Sequence, residues 1–370
     1  MKTVPISLAR RVRETPFEKR MLANNPGGLS VYNHMTIPTV FESMEADYAH
    51  LCEHVQIWDV ACERQVEVNG PDALKLVELC TPRDLSDMSI GQGRYAPLVD
   101  EFGGIVNDPI ILKLAQDRYW VSIADSDVLL WMKGLAAGLK LDVSLFEPDV
   151  SPLAVQGPKA DDLMAEIVGE QVRAIRFFWF IETTISGAPV VIARSGWSGQ
   201  GGFELYLQDS RFGSTLWDTV FDAGRKFNIR AGCPNLIERL ESGLLSYGND
   251  MTLNENPFEC GLDAFFKLGK DAEYLCRDAL ERIARDGPAK RLVKLKIHSE
   301  GPIAMRSTLD VVCGDETVGT VTSQAYSQKH GSVLSLAYID STVLATDPTV
   351  DVIGEHGTRL SATICSPSWG

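Results

Sequence analysis

Apolar and polar positions along the chain repeat one pattern twice. Val68-Asn69-Gly70-Pro71-Asp72-Ala73-Leu74 returns as Val155-Gln156-Gly157-Pro158-Lys159-Ala160-Asp161. Each copy follows an apolar stretch and opens an amphipathic helix. Leu74, Val77 and Leu79 continue the first, and Leu163, Met164 and Ile167 the second. Gly then Pro suits a strand end followed by the first turn of a helix, where proline's missing N–H costs nothing. Two copies predict two related α+β units, not a solenoid. Strand-like runs follow each copy, at 105–106, 110–114 and 119–123, then at 190–193 and 203–207. Gly103-Gly104 predicts a hairpin turn between Val99 and Ile105. Further helices are predicted over 43–54, 127–138, 212–227, 234–246 and 275–284. Past Gly287-Pro288 the texture changes to short alternating runs at 292–297, 311–312, 318–322 and 333–339. That predicts a small β-barrel or sandwich with a boundary near 285–290.

Composition narrows the classes. The chain has 370 residues, 45% hydrophobic and 23% charged, which is a globular balance and enough length for two or three domains. Its 50 Asp+Glu against 35 Lys+Arg give a net charge of −15, so a nucleic acid partner is not expected. The densest basic cluster, Arg10, Arg11 and Arg13, is a short arm. No apolar run reaches the roughly 18–20 residues of a membrane span. The start lacks the uninterrupted apolar core of a signal peptide, and a cytoplasmic location is expected. The eight Cys form no C-x-x-C pair and read as reduced thiols. His50 and His54 are four apart, but the six His are otherwise scattered and no metal site is expected. The glycines of RSGWSGQGG lack the G-K-[ST] of a phosphate loop and run into a strand. A G-x-G-x-x-G following a strand is missing too, which argues against a dinucleotide domain.

Four stretches carry a resemblance. They are Asp59-Val60 with VEVNGPDA, GRYAPLVDEFGGIVNDPIIL, ARSGWSGQGGFELYL, and LIERLESGLLSYGNDMTLNENPFECGLD. In this order they resemble the glycine-cleavage aminomethyltransferase (T-protein) family over essentially the whole chain. Within it, VYNHM, HVQIWDV, ERQV, VNDP, RSGWS and CPNLIER are similar to a branch that demethylates dimethylsulfoniopropionate. The resemblance implies an α+β, three-domain ring: a first α+β unit over 1–150, a second over 151–287, and a C-terminal β-barrel over 288–370. It also implies tetrahydrofolate in the centre, as acceptor of a methyl group at N5. Oligomeric state is not legible; a homodimer is the working expectation.

The chemistry can be read residue by residue beside that likeness. A pterin offers a 2-amino group and an adjacent ring N–H, a fork that one carboxylate accepts. The family places the glutamate of GGFELY there, which is Glu204. Alternation sends Phe203 and Leu205 to a core and Glu204 and Tyr206 to the other face, either pocket or water. Asp108, in VNDP, matches the family's aspartate near N5; it could equally open an Asp-Pro turn. A sulfonium has no N–H and suits aromatic faces. Trp197, Tyr32, Tyr95 and Tyr206 are the aromatics expected around it or the folate, whereas Trp179 reads as core. Trp197 replaces the tyrosine of the aminomethyltransferases' TGYTG. Arg239 and Tyr247 are expected to share a helix face at the folate, unless Arg239 pairs with Glu238 or Glu241. Arg194, Lys113 and Ser246 are candidates for the donor carboxylate. Two departures, Ile123 for an Asn and Ala264 for a Trp, fit a changed donor pocket. The alternatives are aminomethyl transfer from a lipoyl carrier, another onium or betaine donor, and a non-catalytic folate-binding module.

Overall fold

The computed structural model describes residues 9–303, 308–354, 357–365 and 369; His356 and the first eight residues lie outside these. Two antiparallel-rich sheets and a barrel organise the chain. The first sheet has the order Ser144–Phe146, Gln65–Asn69, Arg118–Ser122, Ile110–Ala115, Gly93–Tyr95. The second has the order Phe180–Ile185, Ala188–Ala193, Gly202–Leu207, Ser151–Gln156, Gln56–Asp59, Arg230–Gly232. Residues 56–59 therefore leave the first half of the chain and sit between two strands of the second. Six further strands, between Lys290 and Cys365, close into a barrel. Leu98–Val99 and Ile105–Asn107 form the hairpin expected around Gly103-Gly104.

Both copies of the repeat behave alike. Gln65–Asn69 passes through Gly70 and Pro71 into the helix Ala73–Leu79, and Ser151–Gln156 through Gly157 and Pro158 into Ala160–Val168. Gly70 and Gly157 take φ of +138° and +124°, conformations that favour glycine. A Cβ at Gly157 would run into the His54 carbonyl, and one at Gly70 into that of Asp142. Glycine is needed at both turns because another strand end passes over them.

Each sheet covers one face with helices. Phe203, Leu205 and Leu207 bury against Leu163, Met164, Leu216 and Trp217. Val66, Val68, Tyr119 and Val121 bury against Leu76, Val77, Val128 and Met132. At about 1.5–3 kcal/mol for each large side chain, these layers hold the two units together. The opposite faces meet each other through Leu112, Leu114, Trp120, Val191, Ala193 and Tyr206. What lies behind Phe203 and Leu205 is thus protein interior.

Two helices differ from expectation. The one expected over 234–246 spans only Leu236–Ser242, because Gly243 at φ +74° turns its N–H back to Leu240. The run 212–227 divides into the helix Gly213–Gly224 and a 3₁₀ turn, Arg225–Phe227, stopped by Asn228 at φ +59°. Among the described residues, no helix is long and apolar enough to cross a membrane.

Candidate active site

The strand Gly202–Leu207 carries Glu204 into the space between the sheets, where it is 5% exposed. Its hydrogen bonds come from the Ser195 hydroxyl and, at 3.2 Å, from Tyr206 Oη. Both end on Oε2. Tyr206 is fed in turn by Ser122, whose Oγ accepts from Gln65 Nε2 at 2.9 Å. Gln65 and Ser122 face each other across the first sheet. A relay from the first sheet thus ends on a carboxylate of the second, whose Oε1 has no donor among the described residues. Burial raises the Glu204 carboxyl, and the Ser195 and Tyr206 hydroxyls oppose this.

Glu63 stands against the same group. It lies in the turn just before Gln65–Asn69. Burial raises its carboxyl well above the usual range, and the charges of Glu204 and Asp108 raise it further. No role for Glu63 was expected, although it opens the stretch ERQV. Nothing local marks it, because its carboxylate neighbours arrive from positions 108 and 204.

Asp108 follows the strand Ile105–Asn107 and keeps part of its surface open to this interior. Tyr95 Oη donates to its Oδ2 at 3.1 Å. Burial pushes the carboxyl up to about 7 against the pull of that bond, and Asp250 adds repulsion. Tyr32 joins from the short strand Gly28–Tyr32. Its phenol is raised by burial first, then by Glu63 and Asp108. Tyr247 is raised by burial and by Asp108, and its hydroxyl meets Ser126. Asp108, Glu204, Tyr32, Tyr95, Tyr206 and Tyr247 are therefore brought into one electrostatic neighbourhood.

The helix Leu236–Ser242 and the segment after it build the adjoining wall. Arg239 pairs with neither Glu238 nor Glu241. Its Nη1 meets Asp250 Oδ2 at 2.8 Å, with both side chains buried. Asp250 also accepts from Thr322 and Ser323 of the barrel, and from the Ser246 backbone N–H. Trp197 donates from Nε1 to the Leu245 carbonyl at 3.3 Å, and the Arg239 guanidinium lies 5.8 Å from its ring centroid. Ser246 stays beside this wall, its Oγ accepting from Asn249 at 2.9 Å.

Two candidates for an anion partner are placed elsewhere. Arg194 donates to Asp161 at 3.0 Å and lies 4.5 Å over the Phe203 ring, on the helix-covered side of the second sheet. It points away from Glu204 because Phe203 and Glu204 face opposite ways. Lys113 is 4% exposed and donates to the Met88 carbonyl. Of the two sequence departures, Ile123 belongs to the core under the first sheet, and Ala264 lies exposed in the 3₁₀ turn Leu262–Phe265. Neither side chain joins the carboxylate group. Trp179 packs partly buried on the helix-side core with Arg176 4.0 Å over its ring.

Comparison with known proteins places this geometry. The family model of the GCVT N-terminal domain matches residues 19–270, and that of the glycine cleavage T-protein C-terminal barrel domain matches residues 290–369. The chain is 49% identical over 351 residues to dimethylsulfoniopropionate demethylase DmdA of Ruegeria pomeroyi, covering 95% of this chain and 96% of that one. It is 27% identical over 333 residues to an aminomethyltransferase of Bacillus cereus, covering 88% and 90%. Its fold matches the glycine cleavage system aminomethyltransferase T of Bartonella henselae with a TM-score of 0.85 at 21% identity, over 96% and 97% of the two chains.

Proposed function

Since the chain belongs to the glycine-cleavage T-protein family, we infer that it is a tetrahydrofolate-dependent demethylase. It moves one methyl group of dimethylsulfoniopropionate to N5 of the folate, giving 5-methyltetrahydrofolate and 3-methylthiopropionate. The observation that carries this reading is the interior group of Glu63, Glu204 and Asp108. Their surroundings are phenols, hydroxyls and one another, and among the described residues none of the three makes an ion pair. Burial and mutual repulsion favour the neutral forms of these carboxyls; a cation entering among them would favour the charged forms and be held by them, and a sulfonium is one.

The residues also fit the folate. Glu204 holds Oε1 free while Ser195 and Tyr206 fix Oε2, so the carboxylate is oriented before any pterin edge meets it. Bound tetrahydrofolate supplies the N5 lone pair, which forms the new N–CH₃ bond as the C–S bond breaks and its electron pair returns to sulfur. The thioether leaves neutral, so no acid is asked of the protein. Holding donor and acceptor in line can supply on the order of 7–11 kcal/mol. Tyr32 and Trp197 offer aromatic faces to the positive sulfur, whereas Tyr206, packed between the sheets, acts through its hydroxyl on Glu204. Asp108, half-charged near pH 7, is suited to take the proton that N5 must lose. Tyr95 orients that carboxylate through its hydroxyl. Tyr247 borders the same carboxylate. Arg239 is held by Asp250 and serves as part of the wall behind Trp197. Ser246 remains as a polar neighbour for the donor carboxylate.

The test is an anaerobic incubation of the pure protein with donor and tetrahydrofolate. Equimolar 5-methyltetrahydrofolate and 3-methylthiopropionate are expected. Absence of methylated folate overturns the reading. Ammonia release that depends on an aminomethyl-lipoyl carrier would instead favour aminomethyl transfer. Turnover with glycine betaine at a higher kcat/KM would reassign the donor.

A further inference from the structure

Trp197 sits on the loop, residues 194–201, between the strands Ala188–Ala193 and Gly202–Leu207, and its glycines leave it little stiffness of its own. The structure shows what holds it. Ser198 Oγ donates to Gln156 Oε1 at 2.7 Å, and the Gly199 backbone N–H donates to Glu238 Oε1 at 2.6 Å. The two residues that follow Trp197 are thus anchored to different elements: Ser198 to Gln156 of the second sheet, and Gly199 to Glu238 of the helix Leu236–Ser242. A side chain at Gly199 would collide with Ser242, so the loop backbone lies directly on that helix.

Glu238 is an unusual choice for this place. It is 1% exposed, and burial raises its carboxyl. Its Oε2 is buried and has no partner at ordinary hydrogen-bond geometry among the described residues, though the Gln200 side chain of the same loop also bears on this carboxyl. Leaving a buried carboxylate oxygen without a donor destabilises a fold, so stability alone does not account for a glutamate here. Local geometry offered it another partner. Asn235 caps the helix, accepting from the N–H groups of Ile237 and Glu238, and Glu238 stands three residues on. That spacing lets a glutamate reach back to the cap's own N–H. Glu238 instead turns outward to Gly199 and to the Ser242 hydroxyl, which donates to it at 2.7 Å. The next residue, Arg239, lies over the Trp197 ring. One turn of helix thus grips both the backbone and the indole of the same loop.

We propose that Glu238 is a positioning residue of the methyl-donor pocket, holding Trp197 in place through the Gly199 N–H. The proposal rests on the demethylase reading and adds a specific device to it. It predicts that losing the grip harms donor binding more than folate binding, because Glu204 is held by Tyr206 of its own strand and by Ser195, which precedes the gripped stretch 197–202.

Glu238→Ala is compared with Glu238→Gln, which keeps an acceptor for Gly199. In Glu238→Ala the donor KM should rise about ten- to hundredfold, the range for a hydrogen bond to a charged group. The folate Kd, read by calorimetry, should stay within about twofold, and Glu238→Gln should recover most of the loss. Amide exchange across 197–202 should quicken in Glu238→Ala and not in Glu238→Gln. An unchanged donor KM, or equal rises in donor KM and folate Kd, overturns the proposal. A wild-type protein that forms no methylated folate would sink the demethylase reading before any variant is made. Exchange across 197–202 needs no donor, so an unchanged rate in Glu238→Ala would still overturn the grip by itself.

Discussion

Among the described residues Glu204 accepts both of its hydrogen bonds on one oxygen, and the proposed folate site assigns the other to the pterin. Glu204→Gln preserves the shape and removes the charge. A charge-assisted bond contributes about 1.5–3 kcal/mol, so the folate Kd should rise about ten- to hundredfold in calorimetry while the fold persists. Asp108 gives a pH signature. Burial holds its carboxyl near 7, so it is neutral below that pH and charged above it. If the charged form accepts the N5 proton, kcat/KM should climb tenfold per pH unit below about 7 and level off above. A bound cation favours the charged form, so the midpoint in kcat should lie lower than in kcat/KM. Asp108→Asn should flatten both profiles. Glu204 and Asp108 could be singled out as candidates because each stands in a motif whose chemistry calls for a carboxylate. Glu63 was not, since a lone Glu in a turn carries no sign of which carboxylates meet it after folding. Arg194 was misread for a related reason. Charge says what a residue can bind, but the strand parity that turns it toward Phe203 and Asp161 decides what it does bind.

Between residue and molecule stands the helix Leu236–Ser242, whose short length hides how much depends on it. Arg239 was expected to share a helix face with Tyr247 at the folate, or else to pair with Glu238 or Glu241, but the helix ends at Ser242 and neither holds. The partner of Arg239 is Asp250, eleven residues on, reached because Gly243 ends the helix and lets the chain fold back. Residues 234–246 looked continuously helical since Leu244 and Leu245 extend the apolar rhythm; the glycine decided otherwise. Asp250 is fully buried, and Arg239 is the cation it pairs with. Arg239→Leu would strand that charge, so the protein should lose about 3–5 kcal/mol, read as a lower midpoint in chemical denaturation. Thr322 and Ser323 still donate to Asp250 and place the loss at the low end. Trp369 supports the helix from the other side, its indole N–H meeting the carbonyls of Leu240 and Glu241 at 2.9 and 3.0 Å. Strands and helices of the repeat were readable because the Gly-Pro turn imposes its own geometry.

At the scale of the whole molecule, the two sheets face each other and the barrel holds the wall that closes the site, so the carboxylate group exists only in the assembled chain. The periodicities foretold two α+β units and a barrel; they could not foretell that Gln56–Asp59 crosses over. Its four residues are buried, and both strands that pair with it, Ser151–Gln156 and Arg230–Gly232, come from beyond residue 150. A fragment of residues 1–150 should therefore be poorly soluble by itself and become soluble when co-expressed with 151–370, measured by the soluble yield of each. The same crossing bears on how the protein is made. On the ribosome, residues 56–59 emerge roughly 90 residues before their first neighbour, on the order of ten seconds at ordinary elongation rates. For that interval the nascent polypeptide carries a strand without either of its partner strands, with Ile57 and Trp58 left uncovered. A chaperone that shields it until translation reaches residue 156 should raise the yield of active enzyme more than one supplied after release.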